Sequence, residues 1–398
     1  MFAASAGAGE SPPVILWDSL FDGPATNDDS EAVAVGPDGG VVATGFSCPA
    51  PTEFNCFSRT IKYDGATGVI LWNVVFSSGV DRDDTTWGVA IGSDGHPVIA
   101  GDSCNLAFTA CDTRVMKLDG TTGAILWNVT VPSGPNASTG GVAIVAGGHA
   151  VVSRSGCDAN LSHCAWRVTK LDGATGAVLW NTSFDSRDDD IPERVAAGPD
   201  GDPVVVGSSC RGDACIPRVI KQDGASGRML WETKLPKVLR HGQKKGKVTQ
   251  GAGVGIGPDG DPVVSVWDFA PQDGSSLVRA VKLDGRHGHQ RWNVVLTRSD
   301  ALPRVVFPRD VGVDSKNNPI VQTQSCIGID CDWILHLLDG DTGASIWTVT
   351  LSPPGNHDQA TGLAVGSDDN PVITGADCPT SFDECRFRTV KYQRQPSP

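Results

Sequence analysis

The sequence has no long stretch with apolar residues at helical spacing and no apolar run approaching eighteen residues. The first absence argues against helical bundles and doubly wound folds. The second leaves no candidate for a membrane-spanning helix, so no membrane span is expected. Catalytic signatures are equally scarce, with no Gly-x-Ser-x-Gly elbow and no His-Glu-x-x-His. The stretch Gly251-Ala-Gly-Val-Gly-Ile-Gly257 resembles a dinucleotide fingerprint, but it lies in strand register and no helix follows. The segment Gly242-Gln-Lys-Lys-Gly-Lys-Val248 is one residue short of a P-loop and lacks its Ser or Thr. Of eight histidines only His287 and His289 are closely spaced, and two ligands on a turn make a weak metal site. Cations are the minority charge, 32 against 46 acids, and the net charge of −14 argues against a nucleic-acid partner.

What the chain does have is a tryptophan that returns seven times, at Trp17, Trp72, Trp127, Trp180, Trp231, Trp292 and Trp347, with gaps of 55, 55, 53, 51, 61 and 55 residues. Such a period without helical signal is one blade of a propeller. Each unit opens with an alternating segment such as Gly88-Val-Ala-Ile91, crosses a turn, and continues as Pro97-Val-Ile-Ala-Gly101. A third strand, Arg114-Val-Met-Lys-Leu118, precedes an Asp-Gly-x-Thr-Gly turn and the tryptophan-bearing Ala124-Ile-Leu-Trp-Asn128. The chain begins with a lone fourth strand, Val14-Ile-Leu-Trp-Asp18, and ends with strands one to three of a unit. An all-β, seven-bladed propeller of four-stranded antiparallel blades is therefore expected, closed by the N-terminal strand completing the last blade. Residues 12–392 are expected to form this single domain, with 1–11 a disordered leader and 393–398 a polar tail.

The segments Tyr63-Asp-Gly-Ala-Thr-Gly-Val-Ile-Leu-Trp72, Leu118-Asp-Gly-Thr-Thr-Gly-Ala-Ile-Leu-Trp127 and Leu171-Asp-Gly-Ala-Thr-Gly-Ala-Val-Leu-Trp180 resemble the tryptophan-docking repeat of quinoprotein-alcohol-dehydrogenase-like (PQQ-like) propellers. The stretch through Asp83-Asp84, Gly88-Val-Ala-Ile and Pro97-Val-Ile-Ala-Gly101 is similar to the β-propeller repeat of prokaryotic surface proteins. The likeness spans nearly the whole chain and implies the fold. It implies less about activity, because such folds host many functions. Quinoprotein dehydrogenases usually have eight blades, a pair of adjacent cysteines against the quinone and an axial calcium. This chain has seven repeats and no Cys-Cys pair, so quinone (PQQ) binding is disfavoured.

Twelve cysteines fall as six local pairs: Cys48 and Cys56, Cys104 and Cys111, Cys157 and Cys164, Cys210 and Cys215, Cys326 and Cys331, Cys378 and Cys385. Each pair brackets the loop between the second and third strands of a blade, so disulfides within each loop are expected. Zinc would need four ligands converging, and the blades hold the pairs apart. Six disulfides imply an oxidising location: extracellular, cell-surface or periplasmic. Asn128, Asn136, Asn160 and Asn181 stand in glycosylation sequons, which occur by chance in a Ser- and Thr-rich chain. Residues 1–10 lack the charged leader and apolar core of a secretory signal, and read as the remnant of a cleavage region or an artificial start.

Two charge features stand out as candidate sites. An aspartate precedes the first-strand valine or leucine by five residues at Asp28, Asp84, Asp190 and Asp358, giving an acidic arc near the axis on one face. It reads either as loop capping or as oxygen ligands for a divalent cation, calcium being the best match. An Arg-x-x-Lys pattern on six third strands reads as structural, pairing with acids of adjacent blades; blade six has Trp333 and His336 instead. Blade five departs most. It has no cysteine pair, and the loop before it carries Lys234, Lys237, Arg240, Lys244, Lys245 and Lys247 without an acid. That loop is a candidate docking site for an anionic glycan, an anionic surface or a protein partner. The expectation is a secreted or cell-surface, non-enzymatic binding or scaffold module with no required cofactor; the alternative is a quinone-dependent oxidoreductase.

Overall fold

The computed structural model describes residues 10–23, 27–49, 55–131, 138–158, 163–212, 214–236, 248–271, 274–328, 330–351, 358–378 and 384–395. Seven four-stranded antiparallel sheets stand around one axis, six of them running in chain order from the innermost to the outermost strand. Blade one comprises Asn27–Val35, Val41–Cys48, Phe57–Tyr63 and Ile70–Phe76. The following blades repeat it, and blade seven is Gln359–Val365, Pro371–Asp377 and Arg386–Gln393 completed by the N-terminal Val14–Phe21. The two ends pair from Val14 with Gln393 to Phe21 with Phe387, and Arg388 reaches Asp18 at 2.6 Å. Arg394 extends the closure by bonding both Glu10 and Asp314.

Alternation along the strands buries Val and Ile from neighbouring sheets against each other and against the recurrent tryptophan. One such layer holds Val42, Trp72, Val89, Ile99, Met116 and Leu118. The tryptophan does more than fill space. Its indole N–H donates to the carbonyl of the turn glycine in the next blade: Trp17 to Gly65, Trp72 to Gly120, Trp127 to Gly173, Trp180 to Gly224, Trp231 to Gly285 and Trp292 to Gly340, at 3.0–3.3 Å. The same carbonyls accept a second bond from the third-strand lysine of the preceding blade, Lys391, Lys62, Lys117, Lys170, Lys221 and Lys282 in that order. Each ring also lies flat on a later glycine of that turn. Gly123, for example, has φ +75, and a Cβ there would come within 3.1 Å of Trp72.

These contacts correct one sequence expectation. Five of the six lysines pair with an acid of their own blade, as Lys62 does with Asp38 at 2.7 Å and Lys117 with Asp94 at 2.6 Å, while Lys170 bonds the neighbouring carbonyl alone, and all six reach the neighbour through its carbonyl. The latch also explains why blade six lacks the lysine. Its tryptophan, Trp347, faces blade seven, where the turn between third and fourth strands is replaced by the two chain ends. With no turn carbonyl to reach, Trp347 Nε1 has no partner, although the ring is 1% exposed. His336, in the lysine's place, bonds Thr323 and Thr348 inside its own blade.

A net indole hydrogen bond is worth about 1 kcal/mol. Trp292→Phe should therefore lose roughly that much more stability than Trp347→Phe in denaturant unfolding, because only the former breaks a bond.

Candidate functional site

Every innermost strand carries a β-bulge just before its recurrent valine or leucine, for example between Ser30 and Ala32, Pro192 and Arg194, and Pro308 and Val311. A bulge re-aims a side chain away from the ladder. Here it turns Glu31, Trp87, Glu193, Arg309 and Thr361 toward the axis, with Arg194 and Asp310 beside them. Four carboxylates, Asp29, Glu31, Glu193 and Asp310, thus share the channel with Arg194 and Arg309. Two small cavities remain, about 120 Å³ beside Glu31, Glu193 and Arg309 and about 130 Å³ beside Trp87 and Asp310, with Arg194 lining both.

Burial dominates the electrostatics of this cluster. It pushes Asp29 up to about 7 against the pull of Arg309. Glu31 lies well above the usual carboxylate range, through burial first and the neighbouring Asp29 second. Glu193 and Asp310 are raised by burial, and both are pulled back by Arg194. Arg309 is held on one side by Gln324 at 2.9 Å and lies 5.7 Å over the Phe307 ring. Of the half-buried aromatics, Trp87 lines the channel and packs against Phe46, and Trp267 lies between Phe269 and Phe307 at 5.0 and 5.3 Å. Sequence analysis missed this site. The signal was present as one register position that carries Glu31, Glu193 and Arg309 in three blades and uncharged residues in the other four.

The four aspartates of the acidic arc are not brought together. Each belongs to its own blade, and Asp28, Asp84 and Asp190 each serve their own loop. Asp28 accepts from Gly23 N at 2.8 Å and from Ser47, Asp84 from Ser78 N and Oγ at 2.6 and 2.9 Å, and Asp190 from Ser186 N and Oγ at 2.7 Å. Asp358 lies against Asp377, and burial followed by that second acid raises it to about 7. Among the described residues no group of three or more His, Cys, Asp or Glu side chains could hold a metal ion. Of the two readings of the arc, loop capping matches Asp28, Asp84 and Asp190, whose carboxylates accept from backbone and serine donors. His287 and His289 stack at 5.8 Å, and His287 faces Asp284.

All six expected disulfides form, four of them between directly opposed residues of the second and third strands, and no described cysteine is free. Of the basic loop, Lys234 is exposed at the end of Met229–Lys234, and the chain beyond it is anchored by Leu235 N to Pro217 O and by Arg279 to Pro236 O. Lys237, Arg240, Lys244, Lys245 and Lys247 lie outside the described residues. So do Asn136 and Asn160, whereas Asn128 and Asn181 are exposed on outermost strands.

The family described as outer membrane protein assembly factor BamB, a PQQ-like propeller family, matches residues 15–216 and again 164–365. The chain belongs to this family. Among solved structures, polysaccharide lyase Uly1 is similar with a TM-score of 0.58 and 9% identity, covering 96% of this chain and 99% of that one. The quinohemoprotein alcohol dehydrogenase ADHIIG from Pseudomonas putida HK5 aligns with a TM-score of 0.51 and 12% identity, over 95% of this chain and 76% of that one. At these identities the likeness is one of fold. No curated protein matches the sequence. The six disulfides and the PQQ-like propeller fit an extracellular or periplasmic setting. No helix among the described residues is long and apolar enough to cross a membrane.

The quinone that the PQQ-like resemblance implies does not fit the axis of this chain. Ligand pockets span roughly 300–1,000 Å³, and the channel's two cavities fall well below that, between charged side chains. The adjacent-cysteine platform is also missing, because every described cysteine closes a local loop.

The raised carboxyls make a stability prediction. An acid whose folded pKa lies near 7 and whose unfolded pKa lies near 3.8 keeps its proton only in the folded state between those values. Folding is then penalised increasingly as pH rises through that window. Asp358, which is fully buried, contributes a penalty on the order of 4 kcal/mol at pH 8. Asp358→Asn should gain Tm relative to the parent at pH 8 and gain much less at pH 5; equal effects at both would contradict a carboxyl raised by burial and by Asp377.

Proposed function

We propose that this protein is an exported, non-enzymatic binding or scaffold propeller that engages its partner on the loop face around the axis. The observation that carries the reading is the axial channel. Acids and arginines of blades one, four and six meet there and leave room for a few waters, not for a substrate or a flat cofactor. The matched family is named for an assembly factor, a role of contact and not of turnover. The half-buried aromatics supply contact area at low entropic cost, as partner surfaces commonly do. The basic loop before blade five supplies charge of the opposite sign to the −14 of the chain, and so a preference for an anionic glycan, surface or acidic protein segment.

Calorimetric titration of the oxidised protein with calcium, followed by pyrroloquinoline quinone, separates this reading from the oxidoreductase. Neither should bind stoichiometrically; one quinone per chain would overturn the proposal in favour of an enzyme. On an immobilised sulfated polysaccharide, replacing Lys244, Lys245 and Lys247 by Glu should lower the salt needed for elution without changing Tm. Unchanged retention would remove the basic loop from the partner surface.

A further inference from the structure

The third strand of every blade except the sixth carries an arginine, and the register beneath it supplies a counter-charge. Blade one offers Asp28 with Ser47, blade two Asp84 with Ser103, and blade four Asp190 with Ser209. Blade five moves the acid to the second strand, where Asp268 meets Arg279 at 2.6 Å with both side chains fully buried and Thr249 donating to the same acid. Blade seven has Asp358 and Asp377 near Arg388. Blade six has Trp333 in place of the arginine, and Val306 and Ser325 in place of the acid. Only blade three breaks the match. Its register positions are Ala137, which lies outside the described residues, and Gly156, and a second arginine, Arg154, stands where the other blades have Gly, Val or Thr.

Arg154 and Arg167 are direct ladder partners, so both guanidinium groups lie on one side of the sheet. Arg154 is 0% exposed and reaches outward across the third strand. Its Nη2 donates to Thr169 Oγ1 at 3.3 Å, and Thr169 donates to Asn181 Oδ1 at 3.1 Å. Its Nε and Nη1 have no partner. An open cavity of about 530 Å³ lies over the same strands, lined by Gly156, Arg167, Asn181, Ser183 and His163 and, at its rim, by the two acids Asp158 and Asp185. Gly156 keeps it open, since a Cβ there would meet Arg167 Nε at 2.5 Å. The Asp185 carboxylate is already matched, by His163 at 3.0 Å and by Arg187 N at 2.8 Å.

We propose that blade three binds a small polyhydroxylated organic anion of the acidic-sugar class, whose carboxylate takes the place of the one the other blades build in. Arg167 lines the cavity and supplies the fork that an oxyanion accepts, and the fully buried Arg154, its ladder partner, adds positive charge beside it. The cavity is many times the ~30 Å³ that a single water occupies, and Asn181, Ser183 and Asp185 offer hydroxyl partners beyond the anion. The site is independent of the loop-face reading above.

Thermal unfolding and calorimetry with glucuronate test the assignment, with glucose and matched sodium chloride as controls. Glucuronate should raise the Tm of the unaltered protein, and the two controls should not. Arg154→Met should bind at least about tenfold more weakly, yet unfold at a higher temperature in anion-free buffer because a buried unpaired charge is gone. Gly156→Asp, which installs the acid of blade five, should be stabilised likewise and lose the glucuronate response. No response in the unaltered protein, or an equal response in both variants, would overturn the site. Inorganic sulfate acting as strongly as glucuronate would overturn the sugar assignment.

Discussion

The latch between blades is the interaction on which the rest of this molecule depends. One turn carbonyl in each of six blades accepts an indole N–H and a lysine ammonium from the blade before it, while the indole ring covers a positive-φ glycine in the same turn. A charge-assisted bond inside a mostly buried seam is stronger than a neutral one, and it leaves no unsatisfied carbonyl behind. Because the same three groups recur at six of the seven seams, those blades are held at a common spacing and angle. That common frame lets a single register position be compared around the ring.

Two departures from the frame carry chemistry. At the inner bulge most blades present small or neutral residues, whereas blades one, four and six present Glu31, Glu193 and Arg309, and the channel closes on its own charges. Under the third strand the arginine and its acid come and go together: blade six lost both, blade five moved the acid across the ladder, and blade three kept the arginine, doubled it and lost the acid. A buried cation without its counter-charge is costly. Its persistence in one blade of seven is the kind of local inconsistency expected at a functional position.

Much of this was legible in the sequence. The tryptophan period defined seven blades, the split last blade fixed the clasp, and cysteine spacing gave six local disulfides, because each depends on short-range order within one unit. Residues that meet across the axis were not legible. Glu31, Arg194 and Arg309 are far apart in sequence and meet only because a bulge in each strand turns them inward. The aspartates at Asp28, Asp84 and Asp190 looked like a shared arc, yet each is satisfied a few residues away by its own loop. The lysines of the Arg-x-x-Lys pattern were rightly read as structural, but their acceptor is a backbone carbonyl, which sequence does not display.

The central claim is that identical latches hold the seams and that the seam between blades six and seven is the incomplete one. Native-state hydrogen exchange of the tryptophan indoles tests it most directly. The account predicts slow, cooperative exchange for Trp17, Trp72, Trp127, Trp180, Trp231 and Trp292, and earlier opening for Trp347 and the strands beside the clasp as denaturant is raised. Equal protection of all seven indoles, or first opening at a fully latched seam, would contradict it.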